Sequence, residues 1–386
     1  MALFLQETVT PPVTPPSRRR TPLWLILLIF PAFLGALVAG HWVGSRWHQV
    51  QIWDPLWIRA LLERPLDEGV PGAGFWVAGY YVDYDRHSLD SLRIRAPHLD
   101  QVVSFGYGAT SDGQVIGRDP EILKGVTAGQ KRVILFGNLT GGKFSRDTAQ
   151  AILRDKAVQD LYIHGVLGKV AAQRASGVQI DFEGVAPEDR QRLTSFIQRL
   201  AAELRVKGLT LSMAVPAKVR DDPRSSWAGA FDYAALGQLV DQLFIMAYDE
   251  HYRGGEAGPV ASLPWTEKVI RYAISVVPTK KILLGVPLYG YDWTASGQGR
   301  AYGVKVMQDR LLQMGAEIRW DPVLGENVAS YKAGDGEHVA WFPDERSLEA
   351  KLALAQKYNL KGVALWRLGF EPDQYWVQLG QARQSE

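Results

Sequence analysis

The chain has no cysteine among its 386 residues. That excludes disulfides, a thiolate metal site and a thiol nucleophile. Net charge is nearly absent as well: 43 Lys and Arg stand against 41 Asp and Glu, a formal +2. Nothing in that balance points to nucleic acid or another polyanion as a partner. Histidine is scarce, at 7 residues, and His251 has no second His or acid at metal-ligand spacing. No metal and no cofactor are therefore expected. What is present is ordinary for a globular protein, 47% hydrophobic and 22% charged residues. The length suits one large α/β barrel with additions, and a monomer is expected.

The front end differs from the rest. Residues 1–21 are rich in Pro and Thr, cannot build a core, and are expected to form a flexible cytoplasmic tail. Residues 22–43, PLWLILLIFPAFLGALVAGHWV, contain no charged side chain. As a helix rising ~1.5 Å per residue the run is about 33 Å long, enough to cross a bilayer. Arg18, Arg19 and Arg20 precede it, and only Arg46 follows closely, which keeps the N-terminus inside. The expectation is an uncleaved signal-anchor that places the main domain outside the cytoplasm, periplasmic or extracellular. A cleaved signal peptide ending near Val38-Ala39-Gly40 is the alternative and would release the domain. Residues 44–72 form a connector.

From residue 75 short β-rich runs alternate with helical stretches. Strands are expected at 75–82, 101–107, 132–139, 177–183, 209–216, 242–248, 281–290 and 362–368. Helices are expected at 147–172, 187–206, 232–240, 264–276 and 346–358. Eight strands alternating with helices predict a (β/α)8 TIM barrel over 73–383. An open doubly wound sheet is the alternative, but the first strand leads into YYVDYDRHS and not into a glycine-rich phosphate loop. The long stretch 294–345 between strands seven and eight is expected to be a small α+β insertion. GNLTGGK (Gly137–Lys143) matches the first part of a phosphate-binding loop, but Phe144 stands where a hydroxyl should hold magnesium. Gly141 and Gly142 then read as a tight turn.

SGVQIDFEGV (Ser176–Val185) places polar residues at every second position of an apolar run. In a strand, Gln179, Asp181 and Glu183 share one face, while Val178, Ile180 and Phe182 share the other. In a barrel the apolar set packs under the helices and the polar set faces the interior. Gly184 ends the strand, so Glu183 sits at its C-terminal end, where such barrels carry their chemistry. Two neighbouring buried carboxyls supply a general acid beside an anion. An exposed edge strand with solvated acids is the structural alternative.

SGVQIDFE resembles the D-G-x-D-x-D-x-E signature of family 18 glycoside hydrolases, the chitinase-like enzymes. FIMAYDEH (244–251), LLGVPLYGYDW (283–293) and GVALWRLG (362–369) resemble further strands of that family, in the same order. MAYDEHYRGGEAGPVASLPW is similar to the branch that includes spore-cortex-lytic and related peptidoglycan N-acetylglucosaminidases. The resemblance covers roughly 75–376. It implies retaining, substrate-assisted cleavage of β-1,4 bonds after N-acetylglucosamine units. By that resemblance Glu183 is the acid and base. Asp181 orients the substrate acetamido group, Tyr248 bonds its oxygen, and Asp249 adds polar support. Trp366 floors the sugar, and Met246 lines the pocket. Gln179, Tyr80, Asn138 and Trp293 are further candidates for substrate contact.

Ser176 and Gln179 replace two acids of the signature, and without the middle acid Asp181 is expected to be plainly ionised. An inactive lectin-like barrel binding the same glycan is the alternative from another class; its relatives usually lose the acid that Glu183 retains. The implied partner is a polysaccharide containing N-acetylglucosamine, peptidoglycan or chitin-like.

Overall fold

The structure, a computed structural model, describes residues 74–118, 129–295 and 297–384. The expected tail, anchor and connector lie outside these residues. Among the described residues no helix is long and apolar enough to cross a membrane.

The chain runs β1 (Trp76–Val82), α1 (Arg86–Arg95), β2 (Gln101–Ala109), a short antiparallel β3 (Val115–Gly117) and β4 (Lys131–Gly137). A small hairpin follows, β5 (Leu139–Thr140) and β6 (Lys143–Phe144), then α2 (Arg146–Arg154) and α3 (Lys156–Gln173). Next come β7 (Gly177–Asp181), α4 (Arg190–Val206), β8 (Thr210–Pro216), α5 (Tyr233–Leu239), β9 (Gln242–Met246), α6 (Leu263–Val276) and β10 (Ile282–Pro287). All eight expected strands form. The last, β16 (Gly362–Trp366), pairs in parallel with both β10 and β1, and β1 pairs in parallel with β2, so the sheet closes. The result is a closed parallel eight-stranded barrel.

Strands buried on both faces need apolar residues on both, and β10, ILLGVP, is buried throughout. In α4 the buried residues Leu193, Phe196, Ile197, Leu200 and Leu204 recur at helical spacing and form the stripe that faces the sheet. Phe182 stacks on Phe196 at 5.5 Å, which places the apolar alternation of the β7 run under the helices, as expected. The expected helix 147–172 is two helices. Asp155 breaks it by turning its carboxylate onto the N–H groups of Ala157 and Val158, at 2.8 and 3.1 Å, an N-cap in mid-run. The glycine-rich decoy is the turn of the β5–β6 hairpin. Gly141 and Gly142 both have positive φ, 58° and 78°, as a two-residue hairpin turn requires.

The insertion begins earlier than expected. Leu288 separates β10 from β11 (Tyr289–Thr294), so the expected strand 281–290 belongs to two sheets. β11 pairs with β12 (Gly299–Gly303) and with β15 (Gly336–Phe342), and β14 (Glu326–Ala333) joins β15 to β13 (Glu317–Asp321). One helix, α7 (Val304–Gln313), covers this antiparallel sheet through Met307 and Leu311, packed on Ala329, Tyr331, Ala340 and Phe342. After it, α8 (Glu345–Lys357) leads to β16 and α9 (Gln374–Gln384) closes the barrel.

Candidate active site

β7 ends at Asp181, and Glu183 lies two residues beyond at the C-terminal rim. Gln179 is fully buried, and Asp181 and Glu183 are each 5% exposed. Gly184 then turns the chain at φ 67°, a conformation that favours glycine. The backbone of Glu183 is held from β4's side. Asn138 accepts from the Glu183 N–H at 2.9 Å and donates to the Glu183 carbonyl at 2.9 Å, while its amide also donates to Ser145 O. Asn138 thus extends the β4–β7 ladder by one side-chain rung. It was expected to face substrate; instead its amide N–H groups are spent on backbone and it is fully buried. It fixes the Glu183 backbone.

Ser176 stands at the opposite end of the strand. Its hydroxyl bonds both N–H and carbonyl of Arg132 at 2.8 Å. At ~3.3 Å per residue it is about 23 Å from Glu183, so the first departure from the signature concerns strand pairing and not chemistry. The second departure, Gln179, lies beside Tyr80, whose hydroxyl senses the amide. Neither amide atom of Gln179 reaches hydrogen-bond geometry with a protein group.

Burial dominates the electrostatics. It pushes the Asp181 carboxyl well above the usual range, and the charge of Glu183 pushes it further. Burial also raises Glu183, with the charge of Asp249 adding to it. Against the expectation of a plainly ionised Asp181, desolvation raises its carboxyl even without the middle acid as a neighbour. The site favours holding protons at its rim, the condition for a general acid near neutrality.

On the β9 side, Met246 ends the strand, and Tyr248 and Asp249 follow it. Met246 and Tyr248 are 9% and 8% exposed. Gly285 of β10 makes room for the Tyr248 ring; a Cβ there would lie 2.9 Å from it. Burial raises the Tyr248 phenol well above its usual range, with the charge of Tyr80 adding next and that of Asp181 after it. Asp249 sits at φ 61°, left-handed backbone that aspartate tolerates better than most. Its carboxylate accepts from Tyr289 and, at 3.0 Å, from Tyr291. Sequence reasoning missed these two donors. Their signal was the alternation Tyr289, Tyr291, Trp293, hidden while 281–290 read as one barrel strand. The rings step outward from the site: Tyr248–Tyr289 at 6.3 Å, Tyr289–Tyr291 at 5.5 Å, Tyr291–Trp293 at 5.3 Å. Trp293 is 2% exposed inside the insertion sheet, so its indole ring is a packing element of this ladder and not an open sugar face.

Trp366 closes the floor. Its ring meets Tyr80 edge-on at 5.1 Å and Phe105 at 5.6 Å, and its indole N–H is buried without a protein partner. Tyr80 also meets Phe244 at 5.8 Å. The structure thus gathers Tyr80, Gln179, Asp181, Glu183, Met246, Tyr248, Asp249 and Trp366 at one mouth, with Asn138 behind Glu183 and Trp293 in the insertion.

The family model for "Glycosyl hydrolases family 18" matches residues 77–371. Over 297 residues the chain is 29% identical to the cortical fragment-lytic enzyme of Bacillus subtilis, covering 75% of this chain and 69% of that one. The solved chitinase of Chromobacterium violaceum superposes with a TM-score of 0.75 at 32% identity, over 80% of this chain and 99% of that one. The Bacillus cereus spore cortex-lytic enzyme SleL gives 0.74 at 26%, over 82% and 76%. A closed barrel, two buried carboxyls at the end of its fourth strand and a family match across almost all of that barrel lead to one assignment: the chain belongs to glycosyl hydrolase family 18.

Proposed function

We propose that this glycosidase cleaves β-1,4 bonds after N-acetylglucosamine units of an envelope or extracellular glycan, peptidoglycan or chitin-like, with retention and by substrate-assisted catalysis. The observation that carries the reading is the pair Asp181 and Glu183, buried side by side at the β7 rim with their protons held up. Glu183 gives its proton to the glycosidic oxygen as the bond to the anomeric carbon breaks. The substrate's own acetamido carbonyl attacks that carbon from the opposite face. Asp181 gives up its own proton to water before the cut and, as the carboxylate, accepts from the acetamido N–H and offsets the positive charge of the cyclic intermediate. Tyr248 donates to the acetamido oxygen. Water then opens the intermediate, and Glu183 takes its proton. Trp366 stacks beneath the reacting ring.

The names of the similar proteins support both a cortex-type and a chitin-type substrate. The uncharged run 22–43 with its preceding arginines supports an anchored domain working outside the cytoplasm.

The test is product analysis on chitin oligosaccharides, on peptidoglycan and on the same polymers after full deacetylation. The expected result is cleavage of acetylated glycan only, with the β-anomer released first. Cleavage of the deacetylated polymer, or initial release of the α-anomer, overturns the mechanism.

A further inference from the structure

The turns that lead into the barrel strands lie at the end opposite the mouth. The described ones, with the first residues of their strands, carry Lys131, Arg174, Lys207, Lys280, Lys281 and Lys361. Their acids are Asp100 and Asp241. The chain as a whole is nearly neutral, at a formal +2, so this cluster is local.

Both acids are already engaged. Asp100 accepts from the Val77 N–H at 2.8 Å and pairs with Arg383 at 2.6 Å. Asp241 accepts from the Leu211 N–H at 2.8 Å. Lys281 is engaged too, donating to Gly237 O and Val240 O at 2.9 and 2.8 Å. Lys131, Arg174, Lys207 and Lys280 are exposed and Lys361 is half-buried. The loops of the mouth end differ. There Lys218 and Arg190 share Asp221 at 2.6 and 2.8 Å, and Arg367 holds Asp85 at 2.7 Å.

The crowding has a focus. Trp76, half-buried at the start of β1, has Lys361 Nζ 4.0 Å and Lys131 Nζ 4.9 Å from its ring centre. Burial lowers the Lys361 ammonium from its ordinary range, and the charges of Lys131 and Lys280 lower it further, against Asp100. Cations that repel one another around one ring gain from an anion brought to them. Aliphatic side chains stand among them. Ile94 (64% exposed), Val206 (87%) and Val276 (37%) each lie in the last turn of a helix, α1, α4 or α6, that ends at this face.

We propose that this basic face docks on an anionic phospholipid surface, with the mouth turned away from the bilayer toward the glycan. A soluble polyanion would use the cations alone. A bilayer interface takes both the cations and the aliphatics between them. The chain also enters the domain here, since β1 begins on this face and the uncharged run 22–43 precedes it. This inference rests on the anchored reading proposed above.

The test places the full chain in vesicles of phosphatidylcholine, alone or mixed with phosphatidylglycerol. The chain has no cysteine, so one introduced thiol carries a fluorophore without competition. Val206→Cys puts it on the basic face, and Arg224→Cys puts it in the loop that leaves β8 at the mouth end. A nitroxide on the lipid headgroup should quench the first label and not the second. That quenching should need phosphatidylglycerol, fall as salt rises, and be lost when Lys131→Gln, Lys207→Gln and Lys280→Gln are combined. Circular dichroism of the combined variant should match wild type. Equal quenching at the two positions, or equal quenching without phosphatidylglycerol, overturns the proposal. So does an unquenched Val206→Cys label, and inorganic polyphosphate that binds such a chain assigns the face to a soluble polyanion instead. A chain left behind when phosphatidylcholine vesicles are floated overturns the anchor separately. Flotation with phosphatidylglycerol vesicles then tests the face alone. The combined variant should partition about a hundredfold more weakly there, and equal partitioning, or none by wild type, overturns the docking face.

Discussion

At the barrel mouth, Asp181 keeps one carboxyl oxygen buried with no hydrogen-bond partner, and burial drives both it and Glu183 toward their protonated forms. In the insertion, carboxylates just as buried are surrounded by donors. Asp292 accepts from Tyr331 at 2.6 Å, lies 3.0 Å from His338 Nδ1 and 3.6 Å from the Arg310 guanidinium. Glu326 accepts from the N–H groups of Val260 and Ala261 at 2.8 and 2.9 Å and faces Lys351 at 3.6 Å. In the insertion these partners hold elements together, and at Glu326 Lys351 and the two N–H groups oppose a burial that still raises its carboxyl. At the mouth burial raises both carboxyls, and the charge of Glu183 adds to the rise at Asp181. Burial is common to both regions, and the partners differ.

The largest expected effect is at the mouth. Glu183→Gln keeps shape and removes the proton donor, so kcat should fall at least about 10³-fold. Circular dichroism and the unfolding midpoint should stay at wild-type values. Near-normal turnover would sink the assignment of the acid.

Next comes the structural side. Lys351 is 1% exposed and its charged form is disfavoured by burial, an effect that Glu326 opposes. Lys351→Met leaves Glu326 in the interior without its cation, a change that costs about 3 kcal/mol. The low end of the range applies because two backbone N–H groups remain on Glu326. Urea denaturation should show that loss. It should also show part of it recovered in Lys351→Met with Glu326→Gln. A loss no greater than that of a surface lysine would contradict the pairing.

A single chemical change made in both regions sharpens the comparison further. Asp292→Asn should cost about 2 kcal/mol, since three donors lose their anion. Asp181→Asn should leave stability equal or higher at neutral pH. The folded carboxyl titrates above its unfolded value, so ionising it opposes folding there, and the amide removes that opposition. Turnover should nevertheless drop steeply in Asp181→Asn. Equal destabilisation by the two substitutions would erase the distinction.

Much of this was legible before any coordinates. Strand alternation in 176–185 placed Asp181 and Glu183 on one inward face, because period two allows no other arrangement. All eight strands followed from short apolar runs between turns. What failed to show depended on tertiary company. Asn138 reads as a rim residue until β4 and β7 are laid side by side and its amide meets the Glu183 backbone. Tyr289 and Tyr291 lie in a run continuous with β10, and only the break at Leu288 moves them to a second sheet. Asp155 looked like one polar residue on a long helix, yet an aspartate that caps two N–H groups ends one helix and starts another. The upward push on the Asp181 carboxyl did not show because neighbours can be counted in a sequence and desolvation cannot.

The smallest expected effect concerns the pH dependence of stability. His338 lies between Asp292 and Asp335, with its Nε2 2.9 Å from Asp335, and its ring stacks on Tyr331 at 4.9 Å. Burial alone would lower its pKa, but the two carboxylates raise it above the ordinary 6.5. A histidine raised on folding binds its proton more tightly in the folded state. Its contribution is fully present below pH 6.5 and is lost as pH rises through the folded value. The insertion should therefore weaken slightly on going from pH 6 toward alkaline conditions, whereas deprotonating the carboxyl pair at the mouth opposes folding from a lower pH upward. His338→Gln should flatten only the first of these slopes, and Glu183→Gln only the second. Both slopes can be read from unfolding free energies measured at a series of pH values, and a single slope responding to both substitutions would mean that the two regions do not titrate independently.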